Sequence, residues 1–184
     1  MYIVPKDSRQ RYTKQCITDA FLKALETKQI SDISISEISE AAGVSRMTFY
    51  KYYSDQFALL RALQEDLLVG FTQELEGLPP NIFDITPVLI RFVARHRVLF
   101  CVVIENWSKG GFVDTVINYL YSTYHHQWEL ANPSMSKNDV EYLFHYVVNG
   151  LVGVIHHWLL EDPALPVEAV IERADYLLKL STPG

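Results

Sequence analysis

Residues 43–56 read GVSRMTFYKYYSDQ. The stretch sets Arg46 and Lys51 among four aromatic side chains and the hydroxyls of Ser45, Thr48 and Ser54. Guanidinium, ammonium, phenol and hydroxyl groups are the donors that meet phosphate oxygens and base edges. Arg46 has the planar fork that grips guanine or a phosphate, and Lys51 suits a phosphate. Met47 and Thr48 carry apolar groups that fit a thymine methyl. From residue types alone the segment is either a solvated helix surface or a nucleic-acid contact. Helical spacing sorts its side chains: Val44, Phe49 and Tyr53 fall on an inner side. Arg46, Met47, Thr48, Tyr50, Lys51 and Tyr52 are left for the outside or the rim.

Other reactive residue types lack a matching pattern. Cys16 and Cys101 are far apart among apolar neighbours and are expected as buried reduced thiols. His125–His126 and His156–His157 are adjacent pairs. Neighbours on a helix point about 100° apart, so neither pair chelates by itself. His145 and His156 share a face but are separated by a helix rise of about 16 Å. The chain has no Gly-rich phosphate loop and no recognisable nucleophile–base constellation. Neither an enzyme, a metal site nor a cofactor is expected.

The elements that must position these groups are helical throughout. Ile17, Ala20, Phe21, Ala24 and Leu25 make one face of a helix over about 8–27. Ser34 and Glu37 form an S-x-x-E capping box, Gly43 stops the helix so begun, and Ser45 caps the next, which runs through about Tyr53. Two short helices around a glycine turn are the helix-turn-helix arrangement. A longer helix over about 55–75 carries Phe57, Leu60, Leu63, Leu67 and Phe71 on one side. The Pro-Pro in GLPPN (77–81) then breaks the chain and sets the domain boundary. Beyond it, helices are expected over 86–107 (divided near Arg95–Arg97), 112–131, 137–161 and 166–180. The fold class is all-α with about nine helices: residues 1–75 as a helix-turn-helix unit with its connector helix, and 82–184 as a larger helical domain.

The 184 residues are 49% hydrophobic and 21% charged, enough for a sizeable core. Net charge is −6, which taken whole opposes binding to a polyanion. Its distribution does not: residues 1–60 carry eight Lys/Arg against seven Asp/Glu, and the excess of acid lies entirely beyond them. The apolar run Val147–Ile155 is shorter than the roughly 20 residues a membrane span needs. The N-terminal MYIVPKDSRQR has no basic-then-apolar signal pattern. A cytoplasmic protein without a membrane partner is expected.

The segments RYTKQCITDAFLKAL and ISISEISEAAGVSRMTFYKYYSDQFALL, with their spacing, resemble the tetracycline-repressor (TetR) family of bacterial transcription regulators. The resemblance covers residues 8–65. VVNGLVGVIHHWLLED and PVEAVIERADYLLKL resemble a C-terminal type found in that family. The resemblance implies an all-helical homodimer, with a small N-terminal domain on a palindromic double-stranded operator and a larger domain that dimerises and takes an effector, either a small molecule or a protein. Repression is the commoner sense, activation the alternative. It implies DNA contacts from Tyr50 and Tyr52, and it places Gln56 where the family has a DNA-contacting lysine. Ser34 and Ser36, at a helix start, can cap it, seat a phosphate, or both. Arg9, Arg11 and Lys14 precede or open the first helix and either reach an adjacent phosphate or the minor groove or remain a solvated tail.

Two apolar faces on each of the last two helices point either to a four-helix bundle with a second copy, in which Gly150 and Gly153 permit close approach, or to a monomer with a fully buried central helix. Phe100, Trp107, Tyr119, Trp128, Tyr142 and Tyr146 either line an effector pocket or form part of a packed core.

Overall fold

Local signals in the first third fix its turns. Ser34 Oγ accepts from Glu37 N at 3.2 Å and starts α2 (Ile35–Ala41). The capping box is completed only on that side, because the Glu37 carboxylate pairs with Lys28 Nζ at 2.7 Å. At the other end Val44 N donates to Ser39 O and Gly43 N to Glu40 O. This double closure needs a left-handed residue, and Gly43 supplies it at φ +65°. Ser45 then caps α3 (Arg46–Tyr50) by accepting from Thr48 N at 3.1 Å.

The computed structural model describes residues 6–105 and 111–181. Among them are nine α-helices, one 3-10 turn (Ile30–Asp32) and no strand. The chain forms two compact units, Met1–Leu67 and Leu68–Gly184. Their division falls inside α4 (Gln56–Leu75), ahead of the 77–81 break.

The first unit holds α1 (Lys6–Leu25), α2, α3 and the first half of α4. α1 packs on α2 and α2 on α3. Its core is Ile17, Phe21, Leu25, Ile33, Ile38, Phe49, Leu59 and Leu63. α3 is shorter than expected, with Lys51 as its C-cap, and Asp55 opens α4 by accepting from Ala58 N at 2.6 Å. The buried side of α4 is also shifted from the expected one. Leu59, Leu63, Leu67, Phe71 and Leu75 are buried at strict i, i+4 spacing, whereas Phe57 is exposed and Leu60 half-buried.

The second unit holds the rest of α4 with α5 (Ile82–Arg95), α6 (Arg97–Glu105), α7 (Phe112–Ala131), α8 (Lys137–Leu160) and α9 (Val167–Ser181). α5 starts at residue 82, earlier than expected, because Asn81 Oδ1 caps it through Phe83 N. His96 separates α5 from α6 at the predicted point. α5 packs on α9, α6 and α7 on α8, and α8 on α9. Arg91 joins α5 to α9 through a two-point bond with the Glu168 carboxylate. Trp158 is buried, donates to Leu165 O at 3.0 Å, and lies under the Arg97 guanidinium, which itself donates to Leu159 O.

α8 as a whole is long and apolar enough to cross a bilayer by length and composition, unlike the short run inside it. Those properties also belong to a central core helix. Its Val140, Phe144, Val147, Val148, Leu151 and Ile155 are buried in this fold.

Candidate functional site

The turn between α2 and α3 aims a short helix outward. Phe49 is fully buried, edge-on to Tyr50 at 6.0 Å and tilted against Tyr53 at 5.8 Å. That anchor fixes the rotation of α3 and sets its other side in solvent. Met47 is 83% exposed, and Arg46, Tyr50 and Lys51 are exposed beside it. Thr48 is half-buried, with Oγ1 2.9 Å from Ser45 Oγ, so this pair of hydroxyls is already engaged in forming the helix start. Val44 and Tyr53 are half-buried rather than fully internal. Burial and the nearby Asp66 charge raise the Tyr53 phenol pKa, so its neutral form is favoured.

Tyr52 is half-buried under two cations: Lys51 Nζ lies 5.7 Å and Lys14 Nζ 5.8 Å from its ring centroid. Arg9, Arg11 and Lys14 thus belong to α1 itself, not to a tail, and Lys14 reaches the end of α3. Ser34, Ser36 and Ser45 are exposed at the starts of α2 and α3. Gln56 is the first residue of α4 and half-buried. Before it, Asp55 is held below the usual carboxylate range by its backbone bond to Ala58 and by Ser54 and Arg61. From Gly43 through Ser54 there is no acidic residue. That stretch therefore offers donors and positive charge without a carboxylate of its own.

In the second unit a cavity of about 60 Å³ lies within the bundle. Side chains from α5, α6, α7 and α8 line it, and apart from Thr86 all are aliphatic or phenylalanine. Thr86 is buried, and its Oγ1 has no hydrogen-bond partner. The aromatics named as pocket candidates are placed differently. Phe100 lines the cavity. Trp128 is buried edge-on to Phe144 at 5.4 Å, as part of a packed cluster. Tyr119 is half-buried away from the cavity lining, and Trp107 lies outside the described residues. Tyr142 and Tyr146 are 68% and 66% exposed on α8. Apart from Phe100, the lining side chains were missed because nearly all are ordinary core aliphatics in sequence; the one available signal was a threonine in the apolar face of α5.

Elsewhere in this unit, burial raises the Cys101 thiol pKa; Cys101 here and Cys16 in the first unit are half-buried rather than fully internal, and neither is in a disulfide. Partial burial against Phe92, whose ring lies at 4.6 Å, and the Arg95 charge lower the His96 pKa. Of the other histidines, His157 faces Glu161, His126 faces Glu129, and His125 and His145 both lie against the Tyr121 ring; among the described residues no three potential metal ligands come together.

The outer side of α8 and α9 exposes large apolar side chains among polar ones. Tyr142, Tyr146, Tyr176, Leu177 and Leu180 are exposed, and a methyl group added at Gly150 or Gly153 would meet nothing within 4 Å. Two shallow grooves run between the helices past these glycines, with volumes of about 170 and 380 Å³.

Residues 81–180 match the family described as "Transcriptional regulator C-terminal region", of the TetR type. An uncharacterized HTH-type transcriptional regulator, YxbF of Bacillus subtilis, is 27% identical over 175 residues. That match covers 85% of this chain but 42% of the relative, so the chain spans less than half the length of this curated protein. A TetR-like transcriptional regulator from Rhodococcus sp. RHA1 has the same fold, with a TM-score of 0.69 and 20% identity over 97% of this chain and 96% of the other. The dihydroxyacetone kinase operon activator DhaS superposes with a TM-score of 0.64 and 15% identity, covering 91% of this chain and 94% of its own.

Proposed function

We propose that this chain, which belongs to the TetR family of transcriptional regulators, acts in the cytoplasm as a homodimer that represses transcription from a palindromic operator and lets go when a small molecule enters its second unit. The observation that carries this reading is the rotation of α3. Phe49 is locked inside while Arg46, Met47 and Tyr50 stand in solvent. A helix so mounted fits a major groove.

Arg46 reads a base edge or grips a phosphate, and Met47 and Thr48 lie along the groove floor. Tyr50, Lys51 and Tyr52 take phosphates, with Lys14 adding charge beside Tyr52. Ser34, Ser36 and Ser45 present hydroxyls and free backbone donors to the flanking strand. Gln56 hydrogen-bonds the backbone without charge. Residues 1–75 are then the DNA-binding domain with its connector, and 82–184 the dimerisation and effector domain.

A second copy is the occupant that suits the outer face of α8 and α9, because exposed tyrosines and leucines flank two glycines with open space above them. Two reading heads on a two-fold axis match two half-sites about one DNA turn apart. α4 belongs to both units by sequence, so a ligand that shifts its second half biases the spacing of the heads.

The test is affinity for an operator selected from random double-stranded DNA. An Arg46→Ala, Tyr50→Ala double variant should lose about 100-fold or more, at two contacts of roughly 1–3 kcal/mol each. Its melting temperature and sedimentation as a dimer should be those of wild type. Full affinity in the double variant would refute the reading head, and a monomer at micromolar concentration would remove the dimer.

A further inference from the structure

We propose that the second unit's cavity selects an uncharged, mainly hydrocarbon ligand carrying one hydrogen-bonding group, and that Thr86 Oγ1 receives that group. The inference rests on the effector control proposed above and adds the chemical class of the effector.

The wall argues first. Thr86 is the sole polar side chain among the described lining residues, and none of them is charged. A carboxylate or ammonium entering here would leave water for a site without a counter-charge, which is prohibitive for an ion. The space also suits water poorly. An internal water needs two to four polar partners, and the side chains here offer one hydroxyl. A cavity that rejects both ions and water keeps its affinity for hydrocarbon.

The hydroxyl argues second. Thr86 is 2% exposed and Oγ1 is unpaired. A threonine in a helix ordinarily bonds back to the carbonyl one turn earlier. In this chain it does not; Thr86 lines the cavity with its Oγ1 covered, so the spreading that admits a ligand must also uncover the hydroxyl. A valine would fill the same volume without a buried unpaired group, so the hydroxyl selects among ligands rather than packing the core. A single donor–acceptor atom prefers an alcohol, ketone or amide over the matching hydrocarbon, because a ligand without a partner leaves Oγ1 as it is.

Size supplies the link to the rest of the unit. The cavity's 60 Å³ is smaller than the roughly 150 Å³ that admits benzene in a packed core, so occupancy must spread the wall. Ile82, Leu89, Phe112, Val116 and Val152 are half-buried lining residues and can yield. α5 turns Thr86 and Val93 to the cavity and sets Phe92 against Phe71 of α4, ring centroids 5.6 Å apart. Spreading the wall therefore moves the helix that carries this α4 contact.

The test uses the full chain, calorimetric titration and near-isosteric probes: benzyl alcohol, toluene, benzoate and benzylammonium, with 1-hexanol and hexanoate as a linear pair. The neutral alcohols should bind at least about tenfold more tightly than every charged probe. Thr86→Val should weaken benzyl alcohol about tenfold and leave toluene unchanged or tighter, and Thr86→Ser should restore the alcohol's preference. Equal binding of benzoate, an equal loss of toluene and benzyl alcohol in Thr86→Val, or no binding by any neutral probe would overturn the proposal. Operator affinity is measured in parallel. Selective probe binding that leaves operator affinity unchanged would sink effector control alone and uphold the ligand class; a wild type without operator affinity would sink the reading head alone.

Discussion

The two units solve opposite problems. The first must hold one short helix in a fixed rotation, and it does so with a buried apolar core and local caps. Ser34, Gly43, Ser45 and Asp55 each set one chain reversal or helix start, and Phe49 pins α3 from beneath. The second unit keeps space within a bundle whose helices are tied across long sequence separations, as by Arg91–Glu168 and Arg97–Leu159. On the proposed function, the surface offered to DNA needs rigidity, whereas the cavity offered to a ligand needs a wall able to yield. Core substitutions should therefore have opposite tolerance in the two units.

The largest expected effect is at Phe49. Phe49→Ala removes a fully buried ring from the small unit and should cost about 3–5 kcal/mol, with operator binding lost as α3 loses its mount. Val116→Ile adds a methylene to the cavity wall and should change stability by less than about 1 kcal/mol, because there is space to receive it. Urea unfolding followed by circular dichroism measures both. A strongly destabilising Val116→Ile would show that the second unit is as tightly filled as the first, and the contrast would fail.

A smaller effect separates glycines of two kinds. Gly43 sits at φ +65° with open space around it, so its cost of substitution is backbone strain alone. Gly43→Ala should destabilise the first unit by about 1–2 kcal/mol and weaken operator binding. Gly153 lies within α8, again with nothing near its Cα hydrogen. Gly153→Ala should raise the intrinsic stability of the helix by up to about 1 kcal/mol and weaken dimerisation. Thermal melts and sedimentation at several concentrations distinguish the two. A Gly153→Ala dimer as tight as wild type would move the second copy away from this face.

This difference also explains what was legible in the sequence. The helix-turn-helix could be read because its signals are local: a capping serine, a glycine that must go left-handed, a buried aromatic three or four residues from exposed donors. The helix breaks at His96 and in the 131–136 connector were legible for the same reason. The shorter α3 was not, because Lys51–Tyr53 keep helical spacing while Ser54 and Asp55 already start the next cap. The buried side of α4 was misjudged because Phe57 and Leu59 are both apolar, and burial is decided by neighbours distant in sequence. The cavity was illegible in a stronger sense. Four helices each contribute ordinary aliphatic residues, and only their assembly leaves space. Of the aromatics that drew attention Phe100 does line the cavity, but Trp128 packs with Phe144, and Tyr142 and Tyr146 face outward.

Gln56 offers the smallest expected effect and the finest probe of the first unit. It opens α4, where family resemblance would place a lysine, and it follows a carboxylate already committed to Ala58 N. Gln56→Lys adds a cation near the positive end of the helix dipole, which should lower stability by a few tenths of a kcal/mol. On DNA the same charge displaces a counterion. Each new phosphate contact should steepen the dependence of log affinity on log salt by about 0.9, so two protomers should add roughly 2. The gain should be clearest at low salt and shrink as salt rises. Operator titrations at a series of potassium chloride concentrations read the slope directly. An unchanged slope would mean that the start of α4 stands clear of the phosphates, confining the reading surface to α3, Lys14 and the starts of α2 and α3. A steeper slope would extend the rigid surface into the helix that both units share.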